Sequence, residues 1–175
     1  MDTAVPALII IAVILYGTLT LAHGYLTTQD RMARAWRVME GRVFDQARTH
    51  LSLVNATTLP GDDAIEITIR NDGQTRLADF DRWDVILQYD TDSGSCARWY
   101  PHAATAEPGY NQWAIMGIYL DAARGVSEAY EPGILNPGEE MVIRVRISPP
   151  VTKETTKLAS IATPNGVSAW LAFAT

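Results

Sequence analysis

The stretch from Ala4 to Leu26, AVPALIIIAVILYGTLTLAHGYL, limits what this chain can become more than any other part of it. No Asp, Glu, Lys or Arg occurs from Thr3 through Gln29, and a helix of that length, rising about 1.5 Å per residue, is long enough to cross a bilayer core of roughly 30 Å. Such a rod has two stable homes: among acyl chains, or among copies of itself in a protein polymer. Gly17 and Gly24 weaken the helix slightly but let a neighbouring helix come close. Asp2 and Thr3 are positioned to cap its start, and Pro6 falls in the first turn, where its missing N–H would be unbonded anyway.

The flanks carry a second signal. Membrane helices are oriented by Lys and Arg on the cytoplasmic side. Nothing basic precedes this run, whereas Arg31, Arg34, Arg37 and Arg42 follow it. Read literally, the C-terminal part would stay in the cytoplasm, which suits an acidic, strand-patterned domain of extracellular style poorly. The pattern predicts a processed start, with a short basic leader removed ahead of the apolar run.

After Gln29 the apolar residues become periodic: Met32, Trp36, Met39, Val43, Ala47, Leu51 and Val54 recur every three or four positions, with Arg34, Arg37, Glu40 and Arg48 between them. This predicts one continuous helix with two environments, buried all round in its first half and offering one face to a globular domain in its second. Nearly fifty residues make roughly 70 Å, more than a bilayer requires. Asn55-Ala56-Thr57 and Pro60-Gly61 are read as its end.

Beyond that point the period falls to two. Ile65, Ile67 and Ile69 alternate with polar residues and close on the turn Asn71-Asp72-Gly73. Further strands are predicted at Trp83–Tyr89, Cys96–Tyr100, Gln112–Leu120, Met141–Ile147, Leu158–Thr163 and Val167–Phe173, and Pro101–Asn111 reads as the longest exposed loop. Six or seven short strands separated by Gly, Pro and Asn turns predict a sandwich. The expected fold class is therefore α+β: an N-terminal helix over residues 1–54, then an all-β immunoglobulin-like sandwich over residues 55–175.

Charge separates the same two parts. The chain carries a formal charge of -6; residues 1–54 hold five basic and four acidic residues, and residues 55–175 hold nine basic and sixteen acidic, a net of -7. That balance argues against nucleic acid as a partner and suits a surface that must stay soluble. Cys96 is the single cysteine, so no intrachain disulfide can form, and its place in a strand predicts a small packed hydrophobe.

No catalytic constellation is legible. His23, His50 and His102 have no second ligand at metal spacing, and nucleophile-elbow, phosphate-loop and paired-cysteine motifs are absent, so neither enzyme nor cofactor is expected. Asp90-Thr91-Asp92-Ser93-Gly94-Ser95 begins like a calcium loop, but its third ligand position is Gly94 and its twelfth is Pro101, so a polar hairpin turn is predicted. Asp79, Asp81 and Asp84 read as a solvated loop edge. Asn55-Ala56-Thr57 is an N-x-Thr sequon and makes Asn55 the candidate glycosylation site. Trp36, Trp83, Trp99, Trp113 and Trp170 are assigned to core packing or a subunit interface ahead of a sugar platform.

An apolar helix at the extreme N-terminus, continuing as an amphipathic one and followed by a compact β-domain, resembles the archaeal type IV pilin superfamily, and within it the archaellins of the archaeal flagellar filament. The run VPALIIIAVILYGTLTLAHGYL resembles their filament-core helix, with Val5 where bacterial pilins usually carry Glu. IEITIRNDG (65–73), LNPGEEMVIRVR (135–146) and TPNGVS (163–168) also resemble the related envelope-anchored stator proteins. The resemblance implies a leader peptidase, storage in the membrane, a basal motor and assembly platform, and a homopolymer outside the cell that serves swimming. It also implies helix-to-helix contacts among copies, for which one approximate stripe, Ala7, Ile11, Leu15, Thr18 and Ala22, is the expectation. A stator role and an adhesive pilin are the alternatives.

Overall fold

In the computed structural model, residues 4–61, 63–128, 131–152 and 154–174 are described. The expected capping by Asp2 and Thr3 and the processed start at Met1 lie outside them. The chain divides into two compact units, Met1–Phe44 and Asp45–Thr175.

The first unit is helix. Helix α1 runs Ala4–Arg48 as one uninterrupted element, so its last turn belongs to the second unit. From Ala7 to Phe44 every residue is exposed except Gly17, which is half-buried. The second unit is a sandwich of two antiparallel sheets. One has the strand order β1-β2-β7-β5-β6, from β1 (Leu51–Thr58), β2 (Ala64–Asn71), β5 (Gln112–Asp121), β6 (Val126–Ser127) and β7 (Glu140–Arg146). The other has the order β4-β3-β8-β9, from β3 (Asp84–Thr91), β4 (Gly94–Tyr100), β8 (Lys157–Ala162) and β9 (Ser168–Phe173).

The period-two residues meet where alternation directs them. Ile67 pairs with Ile143 and Ile143 with Ile115; Ile65 pairs with Val145 and Val145 with Trp113. Val85, Leu87, Ala159 and Ile161 close the core from the other sheet, each 1% exposed or less. Ion pairs stand among the opposite, outward residues: Arg144 Nη2 lies 2.7 Å from Glu66 Oε1 across β7 and β2, and Arg146 Nε lies 3.7 Å from Oδ2 of Asp63, just ahead of β2, with its guanidinium over the Tyr110 ring. A bulge in β5 between Ile115 and Gly117 shifts its register on β7.

The boundary between helix and β-domain differs from the expectation. The helix closes at Arg48 rather than Val54, and Leu51–Thr58 is the edge strand β1, so the division expected at residue 54 falls inside a strand. Leu51, Leu53, Ala56 and Thr58 point inward, and the break in alternation is a register shift between Leu53 and Asn55. Tertiary bonds fix the stop. Thr49 donates its N–H and its hydroxyl to Asp45 O, the Gln74 amide donates to Arg48 O at 2.7 Å, and Asn165 Nδ2 donates to Thr49 Oγ1 at 2.8 Å. Sequence reading also passed over β6, which is two residues long.

Candidate assembly surface

The surface in question is that of α1. Thr18 donates its hydroxyl to the carbonyls of Ile14 and Leu15, Thr20 to Tyr16, Thr27 to His23 and Gly24, and Thr28 to Gly24, all at 2.8–3.0 Å. Each threonine hydroxyl is thereby satisfied within its own helix, and its methyl group is free to meet an apolar neighbour. Gly17 and Gly24 leave open space where a Cβ would stand. The five residues expected as one stripe are all on this helix. Ile11 and Leu15 are 57% and 63% exposed, and Ala7, Thr18 and Ala22 are exposed. The first charges after the apolar run are Asp30 and Arg31, and Asp30 pairs with Arg34 at 2.5 Å.

Apolar exposure does not end with the span. Met32, Trp36, Met39, Val43 and Phe44 are each more than half exposed. From Ala4 to Gln29 the helix measures about 39 Å at 1.5 Å per residue, so these side chains lie past the depth of a bilayer core.

On the sandwich, Asn55 is exposed on edge strand β1, with its Nδ2 3.4 Å from Thr57 Oγ1, at the rim of an open groove also lined by Thr68 and Arg70. The sequon therefore stands in a strand and not at a helix end. Asp90 to Ser95 form the expected hairpin, with Thr91 paired to Gly94 and Gly94 at φ 125°. His102 packs edge-on to Trp113, ring centroids 4.6 Å apart. Among the described residues no group of three His, Cys, Asp or Glu is arranged to hold a metal. Trp83 and Trp113 are core residues; Trp36, Trp99 and Trp170 are exposed, and sequence alternation alone did not separate the two sets.

Burial raises the hydroxyl pKa of Tyr100, and the hydrogen bond to Tyr89 adds to it; burial likewise raises Tyr89. These two hydroxyls lie 3.2 Å apart inside the sandwich and serve packing. Burial also raises the Glu128 carboxyl, helped by the nearby charges of Glu139 and Glu131, and its Oε1 has no hydrogen-bond partner.

No protein-family model matches the chain, and no curated protein matches it in sequence. Solved structures do. The archaellum periplasmic stator protein FlaG from Sulfolobus acidocaldarius is 18% identical with a TM-score of 0.52, over 71% of this chain and 99% of that chain. The archaeal flagellin FlaB1 from Methanocaldococcus jannaschii is 15% identical with a TM-score of 0.53, over 73% of this chain and 90% of that one. The archaeal flagellum of Methanospirillum hungatei strain JF1 is 11% identical with a TM-score of 0.50, over 98% of this chain and 90% of that one. At these identities the likeness is one of fold, and the three named structures are components of the archaellum.

Proposed function

We propose that this chain is a structural subunit of an archaellum-type filament that polymerises through α1. In this reading the helix is held by the cytoplasmic membrane before assembly, after a leader peptidase has exposed its start. An assembly platform then moves it into a bundle of identical helices, and the sandwich forms the outer sheath. The exchange of lipid for neighbouring helices is near neutral in hydrophobicity, so close packing decides it. Ala7, Ile11, Leu15, Thr18 and Ala22 are the proposed contacts, and the open positions at Gly17 and Gly24 allow the approach. Head-to-tail contacts that do not close on themselves give a filament rather than a ring. A basal motor turning it makes the filament a propeller outside the cell, and Asn55 is the proposed glycosylation site on its sheath.

The carrying observation is the exposed apolar surface of α1, which continues to Val43 and Phe44, past what a bilayer covers. The comparison with the Methanospirillum flagellum supports the same reading, because at 98% coverage it takes in helix and sandwich together. The test is mechanical shearing of cells of the source strain. A filament subunit leaves with membrane-free fibres, and deletion of its gene stops swimming. Its absence from those fibres refutes the proposal.

The likeness to FlaG, which spans 99% of that chain, favours a second reading: an envelope-anchored stator whose sandwich engages neighbouring proteins while the helix stays in lipid. After shearing, a stator remains with the envelope fraction, and detergent releases it as single micelle-bound particles.

A further inference from the structure

The two outer faces of the sandwich differ in kind. On the five-stranded sheet the outward side chains include two ion pairs, Glu66 with Arg144 and Asp63 with Arg146, and the charged Arg70 and Glu140, with Val54, Leu120 and Val142 scattered among them. On the four-stranded sheet the register places Trp99 opposite Ile86, Ile86 opposite Ser160, and Ser160 opposite Trp170, one row across all four strands. Antiparallel partners in register share a face, so these four side chains stand together. Trp99 is 53% exposed, Ile86 43% and Trp170 69%. Trp99 and Trp170 are on the two edge strands, about 14 Å apart at three strand spacings. The adjoining row, Ala97, Gln88, Leu158 and Ala172, is also uncharged. Asp84, at the end of β3, accepts a hydrogen bond from Trp99 Nε1 at 2.9 Å and so orients the indole in advance of any partner.

An uncharged aromatic row rimmed by polar groups marks a contact surface. Charge says what covers it. Residues 55–175 carry a net -7, so two sandwiches repel over most approaches. The two uncharged rows of the four-stranded sheet let like-charged copies meet with the Asp84 carboxylate at the flank, held by its bond from Trp99. We propose that the Trp99–Ile86–Ser160–Trp170 face is where the sandwich of one copy docks on the sandwich of another, a contact separate from that of α1; it rests on the reading that copies of this chain assemble, whether or not the product is a fibre.

The experiment uses the full-length chain in its own membranes and fibres, with photoreactive benzoylphenylalanine in place of Trp170, and a control at Thr68 on the ion-paired sheet. The expected result is cross-linked dimer from position 170 and at most a tenth as much from position 68, with the captured peptide drawn from β3, β4, β8 or β9 of a second copy. Dimer yield should rise at least twofold between 20 mM and 500 mM NaCl, because salt screens the repulsion between acidic units. Trp99→Ala together with Trp170→Ala, checked for folding by near-ultraviolet circular dichroism, should cut self-association at least tenfold. Capture of only lipid, glycan or another protein overturns the proposal, as does a yield that falls with salt or a double variant that assembles like the parent. Fibres that contain the chain while position 170 captures no copy refute this face and leave the filament reading standing. Captured dimers in membranes that yield no fibre refute the filament and keep the face.

Discussion

Asn71 ends β2 with its side chain wholly buried and fully engaged. Its Nδ2 donates to Thr75 O at 2.8 Å and Leu135 O at 3.0 Å, and its Oδ1 accepts from the Gly73 amide at 3.0 Å. Asn71→Leu removes three hydrogen bonds worth about 1 kcal/mol each and leaves at least one enclosed backbone group unmade, a further 1–3 kcal/mol. Leu135 O keeps its bond from the Leu77 amide, which limits the second cost. The expected loss is about 4 kcal/mol. With a urea slope of about 2 kcal/mol per molar, the unfolding midpoint falls by about 2 M. The assay is urea unfolding of the full chain in detergent, followed by the emission of the buried Trp83 and Trp113. Asn71→Asp adds a directional check. It keeps the bond from Gly73 but sets a carboxylate against two carbonyl oxygens, so the native state favours the protonated acid. As pH rises through the ordinary carboxylate range near 4, the unfolded chain releases that proton first, and stability relative to wild type falls. Asn71→Asp should therefore be close to wild type at pH 4 and far below it at pH 7, while Asn71→Leu follows wild type at a constant offset. A midpoint for Asn71→Leu within 0.5 M of wild type, or an Asp variant whose deficit is the same at both pH values, would refute the reasoning.

Other outcomes follow from the same structure. Gly73→Ala should lower stability by 2 kcal/mol or more in the same unfolding assay, because its Cβ would stand 2.5 Å from His50 N and 2.6 Å from Arg48 O, both backbone atoms that cannot swing aside. Glu128→Gln should raise the melting temperature at pH 7 and leave it unchanged below pH 4: burial holds the native carboxyl pKa above its unfolded value, so wild type loses stability as pH climbs through that window and the amide does not. Gly17→Ile with Gly24→Ile should leave the unfolding midpoint of the detergent-solubilised chain within 0.5 M of wild type, because nothing beyond the adjoining residues and the helix's own backbone lies within 4 Å of either added Cβ. The same pair should cut the yield of sheared fibres at least tenfold by holding neighbouring helices apart; unchanged yield excludes those positions from the contact.

Much of the fold is legible in local pattern. The uncharged run fixes α1, and the alternation at Ile65–Ile69 and Met141–Val145 places two adjacent strands in correct register with the core. What local pattern missed has a physical cause. Leu51 and Val54 continue the three-residue spacing of the helix, and no Gly or Pro intervenes before Pro60, so β1 looks helical. The stop at Arg48 depends on Gln74 and Asn165, which lie 26 and more than 100 residues further on. The aromatic face was hidden for a similar reason. SAWLAF and CARWY each alternate plausibly in either sense, and only the pairing of four strands puts Trp99 and Trp170 in one row.

The joint at the end of α1 is held twice. Arg48 O is gripped by the turn that follows β2, in the five-stranded sheet, and Thr49 by the turn between β8 and β9, in the four-stranded one. The closing residues of the helix are thus tied to both layers at once, and a substitution at Asn165 would leave them held by the five-stranded layer's turn alone.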